Sequence, residues 1–221
     1  MKKSLSVVIP FYNEHENLPL LYTELQRVFE TLADRYDIEC IFVNDGSTDG
    51  SDSVIQSISE KDPRIKIIEF SRNFGKELAL SAGIAHSSGE AVLMLDADLQ
   101  HPPSLISDFV AKWENGVEVV IGVRKTTERL PLLKRWGSAL YYKISNAISK
   151  NNPLPNSTDY RLIDKKVARE FIRFTETNRI TRGLIDWLGF KREVIYFHSP
   201  ARSHGDAQQK ICKMLSTKIS V

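Results

Sequence analysis

The sequence is poor in cysteine, in long apolar runs and in the glycine-rich loops that commonly hold phosphates. Its 221 residues contain two cysteines, Cys40 in an apolar run and Cys212 near the end, which argues against a disulfide framework or a cysteine-rich metal site and fits a reducing compartment. No stretch approaches the ~20 apolar residues that span a bilayer. The apolar part of MKKSLSVVIP is too short for a signal-peptide core. Neither G-x-x-x-x-G-K-[ST] nor G-x-G-x-x-G occurs, so ATP hydrolysis on a Walker loop and dinucleotide chemistry lose their usual support. A formal net charge of +2 singles out no partner, and nucleic acid is not expected.

What is present is the balance of a soluble globular chain, 42% hydrophobic and 26% charged, at a length that suits one large domain. Apolar runs at 5–10 (LSVVIP), 39–43 (ECIFV), 64–70 (RIKIIEF), 91–95 and 117–122 predict strands. Between them, Leu18, Leu21, Leu25, Val28, Phe29 and Leu32 fall at helical spacing, and helices are predicted around Val54 to Ile58, 77–86 and 103–113. Strands that are apolar throughout and alternate with helices predict an open, mostly parallel α/β sheet covered on both faces. Farther on, NNPLPNSTDYR reads as a loop, 165–175 and 181–188 as helices and 193–198 as a last strand.

In such sheets ligands gather beyond the carboxyl ends of the strands. Four polar clusters lie at those ends: YNE, NDGSTDG, SRNFGK and DADLQ. One could be chance, whereas four point to a single site. Asp96 and Asp98 would face opposite sides of a continuing strand, but Gln100 and Pro102-Pro103 predict a turn there. A carboxylate pair with no Lys or Arg nearby in sequence suits a hard divalent cation bridging to phosphates, although a lone D-x-D is more often a cap or a solvated loop. Asp45-Gly46-Ser47 offers a tight turn and a carboxylate able to accept from a base or ribose, with an Asx-type turn as the plain alternative. Residues 124–150 are rich in Lys and Arg interleaved with Trp136, Tyr141 and Tyr142, which by themselves fit a solvated amphipathic face as well as a functional one.

VVIPFYNEHENLP, FVNDGSTDGS, FSRNFGKELALSAGIAHSSGEAVLMLDADLQHPP and NSTDYRLID, in this order, resemble the family-two glycosyltransferases of the GT-A (Rossmann-like) fold. Within that family the chain is most similar to bacterial polyprenyl-phosphate glycosyltransferases, such as bactoprenol glucosyltransferase, and to dolichyl-phosphate mannose synthase. Each motif alone is weak, while the ordered series is specific and covers nearly the whole chain. The resemblance implies an inverting, metal-dependent transfer of a sugar, with UDP-glucose the expected donor, to a polyprenyl phosphate. It places the donor on Pro10, Tyr12, Asn13, Glu14, Asp45, Lys76 and Asp96, and Mg²⁺ or Mn²⁺ on Asp96, Asp98 and Gln100, with Asp98 holding the metal most directly. The acceptor phosphate falls to Arg124, Arg135, Ser138, Arg161 and Arg202, and the catalytic set to Asp98, Arg135 and Asp159. Asp159 is left open between orienting Arg161, orienting sugar hydroxyls and accepting a proton.

The expected organisation is one catalytic domain over 1–200, with a nucleotide-sugar half to about 122 and an acceptor half beyond it, and a basic juxtamembrane tail over 201–221. Relatives continue into two membrane helices, so a chain cut to its soluble part is expected, working at the cytoplasmic face of the membrane. Anionic lipid would attract the Lys and Arg of 124–150 by ~1 kcal/mol each near the surface. Self-association is left open. Where relatives carry a hydroxyl residue, Lys and an aromatic after R-x-x-G-[DE], this chain has Ala207-Gln208-Gln209, which touches the acceptor contacts expected of the tail. The alternatives are transfer to a saccharide and a binding protein of the same fold without turnover. Nucleotidyl transfer ranks below both, because YNEHEN is acidic where that chemistry wants a basic glycine-rich loop.

Overall fold

The computed structural model describes residues 2–125, 156–174 and 180–199. In chain order they form β1 (Lys3–Phe11), α1 (Asn17–Leu32), β2 (Tyr36–Asn44), α2 (Ser51–Ser59), β3 (Ile65–Glu69), α3 (Lys76–Ala85) and β4 (Ala91–Met94). A 3-10 turn (Pro103–Leu105) then leads into α4 (Ile106–Glu114), β5 (Val119–Arg124), β6 (Ser157–Asp164), α5 (Lys165–Ile172), α6 (Thr181–Trp187) and β7 (Arg192–Phe197). The strands make one sheet in the order β3-β2-β1-β4-β6-β5-β7.

β1, β2, β3 and β4 are joined by parallel pairings, as are β5 and β7. β6 pairs antiparallel with both β4 and β5 and so is the reversed strand of the sheet. The apolar runs are buried on both sides. Leu5, Val7 and Ile9 pack with Leu21, Leu25 and Phe29 of α1 and Phe109 of α4. Val8, Ile41 and Val43 pack on the other face against Leu80 and Ile84 of α3, Phe171 of α5 and Ile185 of α6. α3 lies close on β1 because its inner positions are small; a Cβ at Gly83 would overlap the Val8 side chain.

β6 stands where NNPLPNSTDYR reads as a loop. Its polar residues disguise a strand whose Tyr160 and Leu162 enter the core on one face and Ile163 on the other. On either side of β1 the chain winds away in opposite directions, toward β2 and β3 and toward β4, and such a switch point opens a crevice at the carboxyl ends of the strands.

Candidate active site

Two loops meet at one side of this crevice and are sewn together by hydrogen bonds. Asn13, at φ +56°, donates its N–H to Ser47 Oγ at 3.0 Å, and its Oδ1 accepts from the Thr48 N–H at 2.8 Å. The Glu14 N–H donates to Ser51 Oγ at 3.0 Å and the His15 N–H to Asp49 Oδ2 at 3.1 Å. Asn44 Oδ1 closes the β2 turn on the Ser47 N–H at 2.9 Å. Glu14 accepts from Asn17 Nδ2 at 2.5 Å, which fixes the start of α1. Pro10 is buried in β1, and Tyr12 is half-buried beside this clasp. Asn13 and Glu14 thus shape the crevice wall through the bonds they make.

Asp45 extends the clasp to a third loop. Its buried carboxylate accepts the Phe74 N–H at 2.7 Å and the Gly75 N–H at 3.0 Å. Burial raises its pKa, and the two N–H donors offset only part of that rise. Gly46, at φ +70°, lets the loops touch, since a Cβ there would run into the Arg72 backbone. The residue that follows Gly75 is Lys76, so Asp45 sets where that lysine starts.

The charged side of the site follows from the reversal of β6. Met94 pairs with Arg161, and continuing that antiparallel register by two residues brings Asp96 beside Asp159. Lys76 reaches between them: its Nζ lies 2.6 Å from Asp96 Oδ1 and 2.7 Å from Asp159 Oδ2. Burial alone would lower the lysine pKa, but the two carboxylates outweigh it and hold the ammonium well above its ordinary value. Asp96 is the mirror case, with burial pushing its carboxyl up and Lys76 more than offsetting it. The Asp96 N–H donates to His101 Nδ1 at 3.2 Å, so the imidazole carries its proton on Nε2. Burial lowers the His101 pKa against the pull of Asp96, which keeps the ring neutral near pH 7. Tyr160 stacks on that ring at 5.0 Å and anchors itself by donating to the Pro102 carbonyl at 2.9 Å.

Past the turn at Leu99 (φ +61°), Asp98 Oδ1 accepts the Gln100 N–H at 3.1 Å. Arg124, at the end of β5, donates Nη2–H to Gln100 Oε1 at 2.9 Å. Its buried Nε–H has no acceptor among the described residues. Ser199 donates to the Gln100 carbonyl at 3.0 Å.

Of the residues expected from the sequence, Asp45, Lys76, Asp96, Asp98, Gln100, Arg124 and Asp159 come to this one end of the sheet. Arg161 does not fit its expected role. It is 1% exposed, its Nη1 lies 2.7 Å from Asp186 Oδ1 and its Nε donates to the Thr158 carbonyl at 3.1 Å. Lying two residues below Asp159 on the same face, it ties α6 to the sheet and is not presented to an acceptor phosphate. Arg135, Ser138 and Arg202 lie outside the described residues, as do the basic stretch beyond Lys125 and the 201–221 tail. His101 and Tyr160 were missed. His101 follows Gln100 directly, but a histidine beside two prolines carries no signal of its own until β6 is known to bring Tyr160 under it.

The profile of Glycosyl transferase family 2 matches residues 6–172. The chain belongs to that family. It is 37% identical over 210 residues to Uncharacterized glycosyltransferase YkcC of Bacillus subtilis (strain 168), across 95% of this chain and 64% of that protein. It is 35% identical over 204 residues to the prophage bactoprenol glucosyl transferase homolog of Escherichia coli (strain K12), across 92% of this chain and 66% of that protein. The chain therefore spans about two thirds of the length of these curated family members. Glucosyl-3-phosphoglycerate synthase from Mycobacterium tuberculosis, solved with Mn²⁺, uridine diphosphate and phosphoglyceric acid, aligns at a TM-score of 0.63 and 20% identity over 97% of this chain and 78% of that one. That likeness establishes the shared GT-A fold.

The family raises the question of a divalent cation. Among the described residues no group of three or more His, Cys, Asp and Glu is arranged to hold one. Asp96, Asp98 and Gln100 do offer oxygen donors, the kind that Mg²⁺ and Mn²⁺ prefer. Two of the three are engaged by the protein's own cationic side chains, Lys76 on Asp96 and Arg124 on Gln100. The donor set fits in kind, and its neighbours show that the place already attracts positive charge.

Proposed function

We propose that this protein is an inverting glycosyltransferase that moves glucose from UDP-glucose to a polyprenyl phosphate at the cytoplasmic face of the membrane. The observation that carries the reading is the convergence of Asp45, Lys76, Asp96, Asp98, Gln100, Arg124 and Asp159 at one end of the sheet in a chain of this family. The bactoprenol relative supports the lipid acceptor. Among the described residues, no helix is long and apolar enough to cross a membrane.

In the reaction an acceptor phosphate oxygen attacks the anomeric carbon, the bond from that carbon to the donor diphosphate breaks, and the nucleoside diphosphate leaves. The acceptor oxygen is ionised at neutral pH, so it needs positioning more than deprotonation. Mg²⁺ or Mn²⁺, held by Asp96, Asp98 and Gln100, would supply Lewis-acid stabilisation of the leaving diphosphate. Arg124 offers its unpaired Nε–H to a phosphate oxygen, and Lys76 supplies a second positive charge on the donor side. Asp45 and the Asn13–Thr48 clasp fix the wall against which the nucleoside rests. Asp159, already bound to Lys76, acts by orientation.

The test uses the full chain with labelled UDP-glucose, undecaprenyl phosphate and Mn²⁺, followed by solvent extraction. Label is expected in the lipid phase. Label found instead on a soluble saccharide would replace this reading with transfer to a saccharide, and a bound but unconsumed donor would leave a binding protein.

A further inference from the structure

The placement of Lys76 is unusual on physical grounds. A cation at the first residue of α3 opposes the helix dipole, which disfavours positive charge there by ~0.3–1 kcal/mol. Its ammonium nevertheless satisfies two carboxylates from different strands at 2.6 and 2.7 Å, and its side chain is only 24% exposed. The oxygen it occupies, Asp96 Oδ1, belongs to the same carboxylate that the proposed function assigns to a divalent cation. An ammonium and a divalent ion on one carboxylate repel strongly at such separations. Lysine is also a compact charge on a flexible four-carbon stem, able to exchange one anionic partner for another without moving the backbone.

We propose that Lys76 is a resident counter-ion that keeps Asp96 from loading a divalent cation until a nucleoside diphosphate arrives to take over the ammonium. The idea rests on the functional reading above and deepens it: donor and metal load together, and the empty site is held closed to metal by its own lysine. Asp159 provides the second anchor, so that Lys76 stays in the crevice when it releases Asp96. Coupling of this kind is reciprocal, with uridine diphosphate tightening Mn²⁺ by the factor by which Mn²⁺ tightens uridine diphosphate.

The test titrates Mn²⁺ alone into the full chain, followed by the loss of its free-ion electron paramagnetic resonance signal, with and without uridine diphosphate. Wild type should bind Mn²⁺ weakly until the nucleotide is added. Lys76→Met should bind Mn²⁺ alone at least about tenfold more tightly, with the nucleotide's effect reduced by a similar factor. Lys76→Arg, which keeps the charge, should bind Mn²⁺ alone as weakly as wild type. Unchanged Mn²⁺ affinity in a folded Lys76→Met, with wild type still loading Mn²⁺ in the presence of nucleotide, overturns the counter-ion role and leaves the functional reading standing. No Mn²⁺ binding to any form, with or without nucleotide, overturns both. Should Lys76→Met fail to fold, wild type labelled with ¹³C-lysine answers the same question: the Lys76 side-chain resonance should move with uridine diphosphate plus Mg²⁺ and stay put with Mg²⁺ alone. Movement with Mg²⁺ alone overturns the proposal.

Discussion

At the amino ends of the strands, Glu39 accepts from Ser6 Oγ at 2.5 Å, from the Ser88 N–H at 2.6 Å and from Lys66 Nζ at 2.5 Å. At the carboxyl ends, Asp96 takes Lys76 at 2.6 Å and shares that ammonium with Asp159. The two carboxylates lie at opposite ends of the same sheet and each meets a lysine, yet their surroundings differ. Glu39 is surrounded by hydroxyl and backbone donors as well as its lysine, so its charge serves stability. Burial would raise its pKa, and these donors instead bring it down to about 2. Asp96 relies on a cation that can leave. Completeness of the hydrogen-bond shell distinguishes the structural carboxylate from the working one.

The largest separation of the two ends should come from Asp98→Ala. Sugar transfer is expected to fall about 10²–10³-fold, in the range of losing one preorganised charge contact, with a nearly unchanged melting temperature. Steady-state transfer beside a thermal melt checks both halves; undiminished transfer would remove Asp98 from the site. Next comes Asp186→Ala, which strands the buried Arg161 guanidinium and should cost about 3 kcal/mol of stability, read by urea unfolding. A loss below about 1 kcal/mol would mean that Arg161 has another way to be satisfied.

Glu39→Gln should leave transfer intact and remove about 2 kcal/mol of stability at neutral pH, discounted from a larger linkage value because Lys66 is half exposed. The folded-state pKa is depressed from 4.5 to about 2, so the contribution is fully present above pH 4.5 and is lost as pH falls toward 2. Wild type and variant should therefore converge over that window in denaturation curves, and a constant gap would show that the lost bonds are not charge-dependent. The smallest effect is expected from Asn13→Ala. It removes one acceptor of the clasp, costs about 1 kcal/mol and raises the donor KM a few-fold with little change in kcat.

The parallel part of the fold was legible because its strands are apolar throughout and its site residues stand at strand ends, where sequence position and spatial position coincide. YNE, NDGS and DADLQ follow strand ends in the structure, as that pattern predicts. β6 broke the rule. Its Asp159 and Arg161 are polar residues inside a strand, and a reading that equates polarity with loops hides the strand along with them. Arg161, placed on the acceptor phosphate by resemblance, is buried against Asp186 because it lies inside that strand. Lys76 was picked out from its place after β3, but its pairing depends on β6 bringing Asp159 to Asp96, and no local spacing encodes that contact.

The reversal of β6 has one more consequence, for how the family can diversify. β5 runs up to the site and β6 starts from it, and the two meet where the Arg124 N–H donates to the Asn156 carbonyl at 3.1 Å. Beside that bond the Lys125 N–H still donates to the Phe197 carbonyl at 2.8 Å, so the described end of β5 is held on both sides. Lengthening a flexible connection between two paired strand ends costs only about 0.6 kcal/mol for each doubling of its length. The chain length between β5 and β6 can therefore change at little cost while the described strands keep their register.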